Sequence, residues 1–191
     1  MYKSFVKRII DIIISLFAIL ILSPLLILVA IIIWASSKGG VFYKQTRLGF
    51  QGKTFTLYKF RSMYVDNTMS ASEQVYKNNA QITLIGKYIR RFKIDELPQL
   101  INVLNGDMSI VGPRPSLPSL INEFNETAHY RLKVRPGLTG LAQVNGNIYL
   151  TWEQRWEYDK KYVETISFLN DMAIIFKTIL IVLLGENKFK K

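Results

Sequence analysis

Asp95 and Glu96 stand side by side in Lys93-Ile94-Asp95-Glu96-Leu97-Pro98. Adjacent carboxylates at the start of a helical pattern have two readings. In one, Asp95 caps free backbone N–H groups and the pair complements the helix dipole. In the other, one carboxylate attacks phosphorus to form an acyl phosphate while its neighbour holds a metal ion. Attack on a diphosphate requires its charge to be masked, which Mg²⁺ and cationic side chains do. Lys59, Arg61, Arg90, Arg91, Lys93 and Arg114 are candidates for that masking, although surface solvation is the common fate of Lys and Arg. Arg114 differs from the others because Pro113 and Pro115 restrict its backbone, which fixes where its guanidinium fork lies.

Other chemistries are excluded or weak. The chain has no Cys, which removes disulfides, thiol nucleophiles and Cys-ligated zinc. Its single His, His129, lacks partners for a Ser-His-Asp triad or a His-based metal site and reads as structural or surface. There is no P-loop and no Gly-x-Gly-x-x-Gly, which argues against an NTPase or a Rossmann nucleotide site.

The elements that must position the dyad follow from periodicity. Leu97, Leu100, Ile101 and Leu104 share one helical face before Asn105-Gly106 stops the pattern, so Asp95 is the expected N-cap. Val41–Gln45 and Thr54–Phe60 read as strands of a hairpin around Gly49-Phe50-Gln51-Gly52. Asp66–Asn79 reads as a mobile loop, and a helix is expected from Leu84 to Phe92. Gly112-Pro113-Arg114-Pro115 and Arg135-Pro136-Gly137-Leu138-Thr139-Gly140 are constrained loops. Trp152–Val163 resembles an aromatic-rich helix whose Trp152, Trp156, Tyr158 and Tyr162 suit packing or interfacial anchoring better than a sugar platform. Phe168–Leu184 is apolar but marginal in length for a span, and is expected to lie on the membrane or pack on the core.

Ile9–Ala35 is almost wholly apolar and too long, without a small-x-small site, for a cleavable signal peptide. As a straight helix its 27 residues reach about 40 Å, more than the roughly 30 Å hydrocarbon core. Ser23-Pro24 divides it into legs Ile9–Leu22 and Leu25–Ala35, each too short to cross alone, and the Ser23 hydroxyl is placed to satisfy a freed carbonyl. Basic residues flank both ends, Lys3, Lys7 and Arg8 before and Lys38, Lys44 and Arg47 after, which suits a segment entering and leaving by one face. A spanning helix and a re-entrant one both remain open at this point. The formal charge is +11, and residues 1–60 hold eight basic residues against one acidic. Basic residues beside an apolar run meet anionic lipid headgroups more readily than nucleic acid.

In order along the chain, the basic start with Ser23-Pro24, Tyr58-Lys59-Phe60-Arg61-Ser62-Met63, Asp95-Glu96-Leu97-Pro98-Gln99-Leu100, Gly106-Asp107-Met108-Ser109, Gly112-Pro113-Arg114-Pro115 and Arg135 through Gly146 resemble the small monotopic phosphoglycosyl transferases, the bacterial initiating sugar transferases. The resemblance covers nearly the whole chain and implies an α+β fold. Its N-terminal re-entrant membrane helix hairpin (1–36) would join a small, mainly helical cytosolic catalytic domain (37–191) with a short β-hairpin and interfacial helices.

The resemblance also implies the chemistry. Asp95 attacks the β-phosphate of a UDP-sugar, UMP leaves, and polyprenyl phosphate takes the phosphosugar from the enzyme. Glu96 is the implied Mg²⁺ ligand, and Lys59, Arg90 and Arg114 match positions that hold phosphates or nucleotide. The implied setting is the cytoplasmic face of the bacterial inner membrane, with both ends of the membrane segment cytoplasmic. Asn147 departs from the pattern, since many relatives carry Arg there, which puts the role of that Arg in doubt. The alternative is a nonenzymatic membrane-anchored scaffold whose basic face binds anionic lipid or an acidic partner.

Overall fold

The computed structural model describes residues 2–36, 38–64 and 81–185. The stretch 66–79, read above as a mobile loop, lies outside them. A π-helical turn, Tyr2–Val6, leads into α1, Lys7–Ser36. The helical backbone continues through Pro24, so the two expected legs form one element. The proline nitrogen cannot bond the Leu20 carbonyl four residues back, and the Ser23 hydroxyl donates to that carbonyl at 2.8 Å instead.

Both ends of α1 pack against the rest of the chain. Near its start, Arg8 donates to the Val103 carbonyl at 2.5 Å and the Leu104 carbonyl at 2.9 Å, and Asp11 accepts from the Ile110 N–H at 3.0 Å. Asp171, buried, gathers Tyr2 (2.6 Å), Lys7 (2.7 Å) and Tyr162 (2.9 Å). At the far end, Val29 and Ile33 pack with Phe60 and Ile89, and Arg61 donates to the carbonyls of Lys38 and Ile33. Much of the helix between is uncovered, with Phe17, Leu20, Ile21, Ile27 and Leu28 exposed. Only 11% of its most apolar window is buried. So large an apolar surface needs lipid around it, and the chain is a membrane-associated protein.

The hairpin is present, with strand β1 longer than the sequence suggests: β1 (Phe42–Leu48) pairs antiparallel with β2 (Thr54–Phe60), Phe42 opposite Phe60 and Leu48 opposite Thr54. Gln51 and Gly52 close the turn at φ 57° and 76°. Helix α2 (Leu84–Arg91) is capped by Thr83, whose hydroxyl accepts from the Gly86 N–H. Helix α3 (Gln99–Asn105) buries Gln99, Leu100, Asn102 and Val103, and leaves Ile101 45% exposed. The expected apolar face is therefore only partly right. Asn102 explains the rotation, because its amide donates to the Thr56 carbonyl at 2.7 Å and accepts from the Tyr58 N–H at 3.1 Å. It takes the place of a third strand on the open edge of β2.

The remaining elements are β3 (Ser109–Val111), α4 (Glu126–His129), β4 (Gly137–Thr139), α5 (Leu141–Val144), α6 (Trp152–Glu164) and α7 (Phe168–Leu184). Strands β3 and β4 run parallel, Ser109 opposite Gly137 and Val111 opposite Thr139. Their flanking loops meet backbone to backbone. A Cβ at Gly112 would lie 2.5 Å from the Arg135 carbonyl oxygen, and one at Gly137 2.1 Å from the Gly112 nitrogen, so both positions demand glycine. Helix α6 opens with a capping box between Thr151 and Gln154. Helix α7 buries Asp171, Ile174 and Ile181 and exposes Phe168, Leu169, Phe176, Ile179 and Leu183, so one face packs on the core and the other is apolar and open. The mixed, mostly helical body has one main core of Leu57, Leu100, Val103, Met108, Val111 and Ile174.

Candidate active site

The dyad sits where α2 gives way to α3. Lys93 takes the left-handed conformation, φ 57°, and turns the chain into a single 3₁₀ turn, Ile94–Glu96. That conformation costs a non-glycine residue about 1 kcal/mol or more, which the neighbouring packing must offset. Asp95 is not the cap of α3: the residue before that helix is Pro98, and no side chain caps it. The five residues between Lys93 and Gln99 are used by the 3₁₀ turn and Leu97-Pro98, so the periodicity beginning at Leu97 overestimates how early the helix starts.

The two carboxylates have different surroundings. Glu96 is buried, and its Oε1 receives Lys59 Nζ from β2 at 2.7 Å and Arg114 Nη2 from the Pro-Arg-Pro loop at 2.8 Å. Burial disfavours its charge, but Arg114 and Lys59 outweigh that and hold its carboxyl well below the usual range. Lys59 is shifted down, by burial and by the like charge of Arg114, against the pull of Glu96. Asp95 is also buried, yet its Oδ1 has no hydrogen-bond partner among the described residues. Burial raises its pKa, the Glu96 charge adds to this, and Lys59, Arg90 and Lys93 pull the other way. A buried carboxylate oxygen left without a partner is costly and rare. Here the oxygen has no partner among the described residues and lies in the field of the Lys59, Arg90 and Lys93 charges.

Lys59 and Arg114, 37 and 18 residues from Glu96 in sequence, thus meet on the carboxylate that adjoins Asp95. Arg90, in the last turn of α2, acts on Asp95 through its charge. The donor set is oxygen-only, one engaged carboxylate beside one unpartnered oxygen. Among the described residues no three His, Cys, Asp or Glu side chains gather as a metal cage. Such a set fits Mg²⁺, which is held by one or two carboxylates together with substrate phosphates.

The model for the family described as bacterial sugar transferase matches residues 2–185. The chain belongs to this family. An exopolysaccharide production protein, ExoY, of Sinorhizobium fredii is 36% identical, over 96% of this chain and 88% of its own length. An undecaprenyl-phosphate glucose phosphotransferase of Komagataeibacter xylinus is 42% identical over 96% of this chain, and an undecaprenyl-phosphate galactose phosphotransferase of Salmonella typhimurium 38% over 98%. This chain spans 37% and 42% of those two longer proteins.

For this member of the sugar transferases, three supporting residues escaped the sequence reading. Arg131 is buried beneath the Pro-Arg-Pro loop, donating to the Arg114 carbonyl at 2.7 Å and the Ser116 hydroxyl at 2.6 Å. Asp159 of α6 pairs with it at 3.1 Å, and burial pushes that carboxyl up to about 6 against the pull of Arg131. Arg47 of β1 lies on the other side of the loop, bonded to the Pro115 carbonyl at 3.2 Å. The only sequence signal for Arg47 is Gln45 two residues earlier, on the same face of a strand. His129 is exposed and meets Phe124 edge-on at 5.8 Å, in keeping with a surface role. Trp156 and Tyr162 are buried packing residues, while Trp152 lies against the Arg155 guanidinium at 4.7 Å. Asn147 adopts φ 49°, a conformation Asn tolerates well, and its carbonyl accepts from Arg155 Nε at 3.1 Å.

Proposed function

We propose that this chain moves a sugar 1-phosphate from a UDP-sugar to polyprenyl phosphate through a covalent intermediate on Asp95. The observation that carries the reading is the unpartnered, buried Asp95 Oδ1 beside a Glu96 already neutralised by Lys59 and Arg114. The names of the Komagataeibacter and Salmonella relatives support a sugar-phosphate transferase with a polyprenyl phosphate acceptor. In the first step Asp95 Oδ1 forms a bond to the β-phosphorus of the donor. The bond from that phosphorus to the bridging oxygen breaks, and UMP leaves with the electron pair. In the second step a phosphate oxygen of the acceptor attacks the same phosphorus, the acyl-phosphate bond breaks, and Asp95 recovers its carboxylate.

The residues act by position and charge. Lys59 and Arg114, fixed on Glu96, and Arg90 near Asp95 lower the repulsion between an anionic nucleophile and an anionic substrate. The basicity that burial confers on Asp95 raises its strength as a nucleophile. Mg²⁺, when bound, would be held by Glu96 with donor phosphate oxygens and would mask diphosphate charge.

For the membrane segment the reading is monotopic: α1 enters and leaves by the cytoplasmic face of the inner membrane. Support comes from the packing of both its ends on the same body, through Arg8 with α3 and through Ile33 with Phe60. The open apolar faces of α1 and α7 supply the lipid contact. The chain has no native Cys, so single thiols can be placed at Ser4 and Ser37 without background. Both are expected to label from the cytoplasm, and periplasmic labelling of residue 4 would establish a span instead. Chemically, UDP-sugar is expected to release UMP and leave the protein heavier by one phosphosugar. Absence of UMP release across a panel of UDP-sugars would favour a nonenzymatic scaffold.

A further inference from the structure

Arg47 is a partly buried guanidinium within the electrostatic reach of Arg114 and Glu96 that takes no part in the scheme above. Its Nε and Nη2 donate to Gln45 Oε1 at 3.1 and 2.5 Å, and its Nη1 to the Pro115 carbonyl at 3.2 Å. Every one of these acceptors is uncharged. A guanidinium has five N–H groups. These three bonds leave two of them, one on each terminal nitrogen, with no protein acceptor among the described residues. The nearby carboxylate, Glu96, is already occupied by Lys59 and Arg114. The like charge of Arg114 adds to burial in lowering the Arg47 pKa to about 10. Arg47, bonded to the Pro115 carbonyl, thus stands beside the loop that carries Arg114, and among the described residues no carboxylate forms an ion pair with Arg47 itself. Arg114 is itself fixed from beneath, since Arg131 holds its carbonyl while Arg47 holds the next one.

We infer that Arg47 and Arg114 form a two-guanidinium clamp for a substrate phosphate, with the free N–H pair of Arg47 reaching phosphate oxygens. The occupant is a phosphate group carried either by the nucleotide that leaves or by the prenyl acceptor. A doubly charged phosphate offsets both guanidiniums at once, and Arg is suited to it by its planar fork. Arg47 is then a substrate-binding residue, and Gln45 a positioning residue that holds its fork. Only the identity of the phosphate source rests on the transferase reading.

The test uses the full chain in nanodiscs, with affinities measured for UMP, inorganic pyrophosphate and farnesyl phosphate. Arg47→Ala is expected to weaken pyrophosphate, and either UMP or farnesyl phosphate, by about ten- to a hundredfold, the range for losing a charge-assisted hydrogen-bond pair. Lys44→Ala, which removes an exposed cation from the same strand, should change each by less than about twofold. With pyrophosphate weakened, an accompanying loss for UMP but not farnesyl phosphate assigns the clamp to the leaving nucleotide, and the reverse assigns it to the acceptor. Should Arg47→Ala not fold, Arg47→Gln supplies the same reading with the same expectation. Unchanged affinity for all three ligands in a folded neutral variant overturns the clamp. A wild-type chain that binds pyrophosphate but forms no phosphosugar adduct would overturn the transferase reading while leaving the clamp to be judged by the pyrophosphate arm.

Discussion

Replacing Lys59 with Met removes one of the two cations on Glu96 while keeping most of the side-chain volume. The pair is 2.7 Å apart with side chains 18% and 11% exposed, so it is poorly screened. At an effective dielectric of about 20 the Coulomb attraction is about 6 kcal/mol, and breaking a buried pair typically costs about 3–5 kcal/mol. Arg114 remains on the same oxygen at 2.8 Å, so Glu96 is not left bare and the loss should be smaller. We expect about 2 kcal/mol, which for a chain of this size lowers the melting temperature by about 4–8 °C. The assay is a double-mutant cycle of Lys59→Met and Glu96→Gln by thermal unfolding in one detergent. A coupling of about 1–3 kcal/mol is expected between the two sites. A coupling below about 0.5 kcal/mol would refute the claim that Lys59 and Glu96 are held as a pair in the folded protein.

Two further outcomes follow from the same geometry. Asn102→Ala removes a fully buried amide that fastens α3 to β2 and leaves the Thr56 carbonyl and Tyr58 N–H without it; a loss of about 2–4 kcal/mol is expected in chemical denaturation. The depressed pKa of Glu96 makes its contribution present above the ordinary value of 4.5 and lost as pH falls through the folded value. Wild-type stability should therefore fall more steeply than that of Glu96→Gln as pH drops from about 5, and parallel melting curves for the two proteins would contradict this.

Much of this architecture can be read locally. The hairpin, α2, α6 and α7 show in their own patterns, and the Ser23 hydroxyl takes the carbonyl that Pro24 orphans. Asp95, Glu96, Lys59, Arg90 and Arg114 were legible as candidates because their residue types and motifs suit phosphate chemistry. What local pattern does not carry is long-range pairing. Strands β3 and β4 are three residues each, too short for alternation, and exist because Gly112 and Gly137 let two loops touch. Asn102 lies outside the apolar set Leu97, Leu100, Ile101 and Leu104 and is buried because β2 offers its open edge, and for the same reason Ile101 faces outward. Asp95 reads as a cap because Lys93 gives no hint that it will turn left-handed. Arg47 and the Arg131–Asp159 pair acquire their positions only through the loop that carries Arg114.

Intact-mass measurement of the protein with UDP-sugar, in the absence of acceptor, tests the nucleophile most directly. The unpartnered Asp95 oxygen predicts a gain of one phosphosugar with release of one UMP, and loss of both in Asp95→Asn, whose fold should survive because Asp95 Oδ1 makes no hydrogen bond among the described residues. Full turnover by Asp95→Asn, with no adduct on the wild-type chain, would contradict it.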